Sequence, residues 1–247
     1  MFIDHIYQMF GWAGVSVAFK WFGRPVFPLL LFIMAESFHH TRDRKKFLLR
    51  LLVGAWFMVI GNAVLQMLMP NSEIVLMNGA FMSFFVAGLY MLFWDMIVQG
   101  VKTKSQKKII GGILLCLALV LSGIPALFIA QFAINWPLPL PVLRLVINAF
   151  FLVPGVFTQE AGLIMALGVL FYIFRTRRFA QIAALAAFSL FYFVMGNDEA
   201  NQWLMVLAAV PMLLYNGEKG IGLKYFFYVF YPAHIYLLYV IATLAKG

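Results

Sequence analysis

The sequence predicts an all-α protein, a polytopic helical membrane bundle of about eight spans with a partial N-terminal helix and one re-entrant or interfacial segment. Composition is the first observation behind this prediction. Of the 247 residues, 64% are apolar and 11% are charged, whereas a soluble domain is about 45–50% apolar and about 25% charged. A soluble fold of this length exposes roughly a quarter to a third of its chain surface to water. The composition therefore excludes a soluble enzyme, a disordered chain and a fibrous protein.

Long apolar runs are the second observation. Each run is uniformly apolar, which favours a helix over a barrel strand with its alternating pattern. Most of these runs approach the roughly 20 residues that cross the hydrocarbon core as a helix. The runs cover residues 22–38, 47–69, 74–99, 109–135, 156–174, 179–195, 203–215 and 225–243. Because no repeat or polar linker divides them, we expect one membrane domain over residues 1–247.

The charges of the connecting segments predict which side of the membrane each one faces. Segments 39–50, 101–108, 175–178 and 216–224 carry five, four, three and two basic residues. The intervening segments 70–73, 131–141 and 196–202 carry none. By the positive-inside rule, the four basic segments face the cytoplasm. The net charge of +9 is therefore attributed to cytoplasmic loops rather than to nucleic-acid binding.

Two segments do not fit this simple pattern. Residues 137–157 are long enough to span, but an extra crossing there would put the basic segment 175–178 outside. Their prolines and Arg144 favour a re-entrant or interfacial segment. The first ten residues, MFIDHIYQMF, are too short to span and lack the basic region of a signal peptide. They are interpreted as the outer end of a helix.

An adjacent carboxylate and imidazole, Asp4 and His5, lie in that first segment. Histidine has a pKa of about 6.5 and can exchange a proton at neutral pH. A carboxylate can orient or stabilise the charged ring. Neighbouring helical residues point about 100° apart, so contact between these two side chains stays open. A pair wetted at the membrane interface is the alternative interpretation.

Other ionisable residues lie within the predicted spans, where each costs about 2.5–3.5 kcal/mol on insertion scales. Arg24 and Glu36 are twelve residues apart, about 18 Å along a helix, and cannot pair with each other. Glu160 must pair, protonate or line a cavity. His234 follows Pro232, which interrupts the helical hydrogen-bond ladder. Asp95 lies about one turn from a cytoplasmic helix end and can reach the interface.

A basic cluster follows the first span, in the sequence FHHTRDRKK. Its cations could bind the phosphates of a nucleotide or coenzyme. They could equally serve as a topology signal that touches anionic lipid. The chain has no H-x3-H pair, Walker loop, GxGxxG, GxSxG or CxxC motif, so neither a metal nor ATP is expected. Cys116 is the single cysteine, which excludes an intrachain disulfide.

Four stretches of the chain resemble the TraX family of integral-membrane acetylases, named for the conjugation protein that N-acetylates F-type pilin. The stretches are MFIDHI, GRPVFPLLLFIMAESFHHTRDRKKFLLRLL, LVPGVFTQEAGLIMALGVLFYIFR and LLYNGEKGIGLKYFFYVFYPAHIYLLY. They follow the family's order. Ser37 and Ala161 stand where the family usually has glycine. The resemblance also implies that the first helix continues upstream of Met1.

The resemblance implies acetyl transfer from cytosolic acetyl-CoA to an amine or hydroxyl of a peptide or small molecule, in the bacterial cytoplasmic membrane. It implies that His5 is the general base supported by Asp4, with His234 as a second base or covalent relay. The implied catalytic residues are His5, Asp4, His234 and Glu160. The implied coenzyme-binding residues are Arg24, Glu36, His40, Arg42, Arg44, Lys45, Lys46 and Lys224. A small transporter or flippase, or an inactive structural relative, remains an alternative to the enzyme.

Overall fold

A computed structural model describes residues 1–71, 74–76, 78–135, 138–139, 142–143, 146, 149, 152–155, 163–195, 201–218 and 224–246. All regular secondary structure in these ranges is helical. Five of the described helices are long and apolar enough to cross a membrane. These candidate spans are Ala18–His40, Arg44–Leu68, Ala80–Lys102, Gln106–Pro125 and Phe226–Lys246. The first of them contains two consecutive helices, and the fourth is the first part of a longer helix.

The helices are named here in chain order. The first half contains α1 (Phe2–Phe10), a 3-10 turn (Gly11–Ala13), α2 (Ala18–Gly23), α3 (Val26–His40), α4 (Arg44–Leu68), α5 (Ala80–Lys102) and α6 (Gln106–Asn135). The second half contains α7 (Ile164–Ile173), α8 (Arg178–Val194), a 3-10 helix (Gln202–Ala208), α9 (Ala209–Leu214) and α10 (Lys224–Lys246).

These bounds follow the predicted runs closely for α3, α4, α6, α8 and α10. Two differences stand out. Helix α5 begins at Ala80 rather than at residue 74, because the described residues between Met69 and Gly79 are not helical. The predicted span 203–215 forms a 3-10 helix followed by the short helix α9. Most of the predicted re-entrant segment 137–157 lies outside the described residues, so that prediction stands as it was made.

Local chemistry explains where α4 begins. Thr41 is extended and ends α3. The Asp43 carboxylate then accepts a hydrogen bond from the Lys46 amide at 3.0 Å, which satisfies an N–H that has no intrahelical partner. The sequence TRDRKK therefore separates two spans with a short turn and a capped helix start.

The core lies where α3, α5 and α7 pack together. Phe32 of α3 and Phe171 of α7 are buried and meet edge to face, with ring centroids 6.0 Å apart. Close approach of the two helices depends on Gly168, since a Cβ there would lie 2.9 Å from the Leu31 side chain. Small residues at such crossings are typical of membrane bundles, in which packing rather than water exclusion drives association.

Candidate functional site

His5 and His234 lie side by side in the bundle although 229 positions separate them in the sequence. His5 Nδ1 is 2.8 Å from His234 Nε2, and the two rings stack with centroids 5.0 Å apart. Both side chains are buried, at 7% and 4% exposure. Helix α1 brings His5 and helix α10 brings His234, so the first and last described helices together build this pair.

The directions of the hydrogen bonds follow from one carbonyl group. His234 Nδ1 lies 2.5 Å from the Phe230 carbonyl, which can only accept, so Nδ1 carries the proton. In a neutral ring His234 Nε2 is then an acceptor, and His5 Nδ1–H donates to it. His5 Nε2 in turn accepts from the Asn78 amide at 3.2 Å. All four ring nitrogens are thus paired with both histidines neutral.

Asn78 completes this histidine pair from a non-helical segment. Its Nδ2 group also donates to Gln8 Oε1 at 3.2 Å. Its Oδ1 atom is buried and has no hydrogen-bond partner in the described residues. A buried carbonyl oxygen without a hydrogen bond is costly, so this atom is available to accept one. It belongs to the same side-chain amide that contacts His5.

The segment that carries Asn78 is held by a glutamine of α4. Gln66 Oε1 accepts from the Leu76 amide at 3.1 Å, and Gln66 Nε2 donates to the Leu76 carbonyl at 3.2 Å. Tyr239 of α10 donates to the Met69 carbonyl at 2.7 Å, and Asn71 contacts Thr243 at 3.3 Å. Non-helical backbone at membrane depth requires such internal partners.

Aromatic rings surround the histidine pair. Phe230 stacks on His234 at 4.7 Å, and Phe2 lies 5.8 Å from the same ring. Tyr231 lies 6.2 Å from His5, and its hydroxyl accepts from the Ala80 amide at the first turn of α5. These rings of α1 and α10 cover the imidazoles and limit the access of water to them.

The side chain of Asp4, a residue of α1, packs against α2 rather than against the imidazoles. A Cβ on Gly23 would lie 2.4 Å from the Asp4 side chain, so the missing side chain makes room for the carboxylate. The cations that act on this carboxylate include Arg24 and Lys20. In place of Asp4, His234 is the residue hydrogen-bonded to His5. The two adjacent side chains face different neighbours, as helical geometry permits.

Arg24 lies at the opposite end of α3 from the basic cluster with which it was grouped as a coenzyme ligand. Its Nη1 group donates to Gln202 Oε1 at 3.1 Å. Arg24 precedes α3 and His40 ends it, and fifteen helical residues separate these ends by about 22 Å. The structure therefore does not bring Arg24 together with His40 or Lys46.

Arg44 is partly buried and held by hydrogen bonds at the other end of α3. Its Nη1 group contacts Asp95 Oδ2 at 2.5 Å, and its Nη2 group donates to the Tyr172 hydroxyl at 3.2 Å. Tyr172 donates to the same carboxylate oxygen at 2.6 Å. The guanidinium also lies over the Phe38 ring. Asp95 is thus an ion-pair partner that joins α4, α5 and α7.

Glu36 lies near Arg178 of α8, with Oε1 and Nη1 3.8 Å apart. Arg178 also donates to Gln181 at 2.8 Å and lies over the rings of Phe32 and Tyr215. Glu36 Oε1 is buried and accepts no hydrogen bond among the described residues. Glu36 Oε1 therefore forms a long ion pair with Arg178 but no hydrogen bond with it.

The remaining predicted coenzyme-binding residues lie at the end of α3, at the start of α4 and at the start of α10. His40, Arg42, Lys45 and Lys46 are exposed around the start of α4. Lys46 forms an ion pair with Asp43 at 3.3 Å. Lys224 is the first residue of α10. Glu160 and Arg144 lie outside the described residues, so their assignments stand as predictions.

Sequence reasoning missed Asn78, Gln8 and Gln66, because uncharged amides were not counted among the costly groups in the spans. Asn78 and Gln66 are 5% and 3% exposed. A buried amide needs hydrogen-bond partners as an ionised group needs a counter-charge. Amides inside otherwise apolar runs were the available signal.

Comparisons with protein-family models, with curated proteins and with solved structures find no match to this chain. In the described ranges, no group of three or more His, Cys, Asp and Glu side chains is arranged to hold a metal ion.

Proposed function

We propose that this chain is an integral-membrane acetyltransferase with His5 as its general base. The hydrogen-bonded pair of buried histidines is the observation that supports this most. A general base needs one nitrogen with a lone pair and a partner that orients the other nitrogen. His5 has both, because Nε2 is an acceptor and Nδ1–H is held by His234. The donor, acetyl-CoA, comes from the TraX resemblance.

The proposed step forms one bond and breaks another. The nitrogen of a neutral acceptor amine attacks the thioester carbonyl carbon, so a C–N bond forms and the C–S bond breaks. His5 Nε2 takes the amine proton and returns it to the leaving thiolate, giving an N-acetyl product and free CoA thiol. A hydroxyl acceptor would react in the same way, with a C–O bond formed.

Two neighbours suit this proton transfer. His234 Nε2 accepts from the His5 ring and disperses the positive charge toward the Phe230 carbonyl. In this structure His5 Nε2 accepts a hydrogen bond from Asn78 Nδ2. The N–H of the substrate amine would replace that donor. Asn78 Oδ1, which lacks a donor among the described residues, would then receive another hydrogen of the acceptor.

The exposed cations at the start of α4 are the proposed phosphate ligands of the coenzyme. Arg42, Lys45 and Lys46 are exposed there, and cations form strong charge-assisted hydrogen bonds to phosphate oxygens. Arg44 is bonded to Asp95 and Tyr172. We assign it the role of fixing the start of α4 rather than of contacting phosphate.

The proposed location is the bacterial cytoplasmic membrane, with eight crossings and the basic segments inside. The alternation of basic connections with connections that lack basic residues supports this topology. It puts the phosphate ligands on the side of the membrane where acetyl-CoA is made. An acetyl group would then reach His5 through a solvated tunnel in the bundle or through a relay of acetyl groups.

The test is release of CoA thiol by the purified protein in detergent with acetyl-CoA and a simple primary amine. We expect release by wild type, and a fall of about 10²- to 10⁴-fold in His5→Ala, the range for loss of a general base. Acetyl-CoA binding, measured by calorimetry, should stay unchanged in this variant. Ser189→Ala is the matched control, since Ser189 is buried on α8 away from the pair.

Two results would overturn the proposal. One is folded wild-type protein that does not bind acetyl-CoA, which would favour the transporter alternative. The other is thiol release by His5→Ala at the wild-type rate.

A further inference from the structure

An apolar groove runs between α4 and α10, with α5 as its floor. Its volume is about 660 Å³, within the range of small-molecule sites. Phe81 of α5 lies behind Gly54 and stacks on Tyr228 with centroids 5.4 Å apart. The groove is separate from the histidine pair, since neither His5 nor His234 lines it.

The groove opens sideways rather than toward an aqueous end. Val53 and Phe57 on the α4 wall are 56% and 58% exposed, and Val229 on the α10 wall is 67% exposed. Such exposure of apolar side chains on a spanning helix faces the acyl chains of the bilayer. At the far end, the Tyr236 hydroxyl donates to the Met58 carbonyl at 3.3 Å and joins the two walls.

Among the described residues that line this groove, Arg50 is the one cation. Arg50 lies one and a half turns into α4, on the side of the basic segment 39–50. Its Nε group donates to the Lys46 carbonyl at 3.0 Å, which orients the guanidinium. Its Nη groups form no hydrogen bond with the described residues. Guanidinium groups bind phosphate by paired N–H donors.

Length and charge together identify the occupant. From Arg50 to Phe57 the groove follows α4 for about 10 Å, parallel to α10. An apolar trough of this length that opens to the bilayer, with a guanidinium toward the basic segment 39–50, accommodates the first part of one acyl chain and the phosphate to which it is joined. The cytoplasmic leaflet supplies anionic phospholipids of this chemistry.

We infer that this groove binds one acyl chain of an anionic phospholipid, with the lipid phosphate on Arg50. The site is independent of acetyl transfer, since it requires neither coenzyme nor histidine. Lipids that only surround the protein would contact all of its outward faces alike, whereas a bound lipid would favour the groove.

The test uses phosphatidylglycerol with a diazirine in the middle of one acyl chain. The full-length protein, in bilayer discs of phosphatidylcholine with a small share of this probe, is illuminated, and labelled residues are mapped by mass spectrometry. We expect labelling to concentrate on Val53, Phe57 and Tyr236 relative to outward residues of α6.

Two tryptophan variants distinguish lipid binding in the groove from general contact with the surrounding lipid. Val53→Trp fills the groove, and we expect about tenfold less labelling there. The reason is that about two methylene groups of the lipid acyl chain would no longer be buried against the protein. Val64→Trp is the matched control, because Val64 lies on the same helix, is 48% exposed and does not line the groove. Val229→Trp fills the groove from the other wall if Val53→Trp fails to fold.

A separate variant tests the contact between Arg50 and the lipid phosphate. Arg50→Gln should remove the preference for labelled phosphatidylglycerol over equally labelled phosphatidylcholine. Uniform labelling of α4 and α6, or equal effects of Val53→Trp and Val64→Trp, would overturn the inference. A phosphatidylglycerol preference that survives Arg50→Gln would also contradict it.

Discussion

The Phe230 carbonyl determines the state of the histidine pair, because it fixes which nitrogen of His234 carries the proton. Each subsequent bond toward Asn78 then has a defined donor and acceptor. In a buried chain of this kind, the loss of one acceptor costs more than the mean value of a hydrogen bond, since a desolvated donor remains.

His234→Phe tests this dependence. The phenyl ring retains the volume but removes the acceptor, so His5 Nδ1–H is left unpaired. We expect a loss of about 1–3 kcal/mol in the free energy of unfolding, measured by denaturant titration in detergent. Thiol release should fall while acetyl-CoA affinity stays constant. His234→Gln, which restores an acceptor, should recover part of both losses, and failure of any such recovery would contradict the orienting role.

Asp43 provides a pH-dependent contribution at a helix start. The hydrogen bond from the Lys46 amide lowers the pKa of the Asp43 carboxyl below its ordinary value. A lowered folded-state pKa means that the stabilisation is present above the unfolded pKa and is lost as pH falls through the folded one. We expect the melting temperature to fall on acidification partly through this group.

Asp43→Asn isolates that contribution, because asparagine still caps the helix but does not titrate. Melting curves between neutral pH and about pH 3 should show a shallower acid-side decline for this variant than for wild type. Glu218→Gln, a change of an exposed loop carboxylate, is the control and should leave the decline unchanged. Identical profiles for wild type and Asp43→Asn would contradict the assignment.

Among the elements, the connection between α4 and α5 contributes directly to the site, and its described residues are not helical. It brings Asn78 to His5, and Gln66 pairs with both the amide and the carbonyl of Leu76. Leu76 is fully buried, so lipid or water offers no alternative partner there.

Gln66→Leu removes both bonds while retaining an apolar side chain. The freed amide and carbonyl of Leu76 should each cost about 1–3 kcal/mol. Hydrogen exchange at the Leu76 amide should therefore accelerate by roughly tenfold or more, since about 1.4 kcal/mol corresponds to tenfold. Gln181→Leu is the matched control, because Gln181 donates to the Phe171 carbonyl on the other side of the core. Unchanged exchange in Gln66→Leu would show that other contacts hold the segment.

The ends of the helices were predictable where an apolar run is bounded by charged residues. They were less predictable where the adjoining loop is itself apolar. Basic residues mark the start of α4 and α8 within a few positions. Nothing in the apolar stretch Ile74–Val75–Leu76 distinguishes a buried non-helical segment from the first turn of a span, so the start of α5 was predicted too early. Its conformation depends on Gln66, which lies ten residues before Leu76, inside α4, and carries no charge that hydropathy reasoning would notice.

For the whole molecule, the alternation of basic connections predicted only that segments 39–50, 101–108 and 175–178 lie on one side of the membrane, not which helix ends contact each other. The start of α4, the later part of α5 and the end of α7 do meet at Arg44, Asp95 and Tyr172. The pairing of His5 with His234 was not predictable, since it depends on how α1 packs against α10. Pairwise side-chain partners require packing that hydropathy does not encode.

The distance in sequence between His5 and His234 has a consequence for biosynthesis. Helix α10 is made after the other described helices, and it supplies His234 as well as Tyr239 and Thr243, which hold the segment that carries Asn78. The polar groups of the earlier helices therefore lack these partners until α10 has been synthesised and packed. Assembly of the site is then a post-insertion event, and a nascent chain that stalls before residue 224 would leave the His5 Nδ1–H donor without its acceptor.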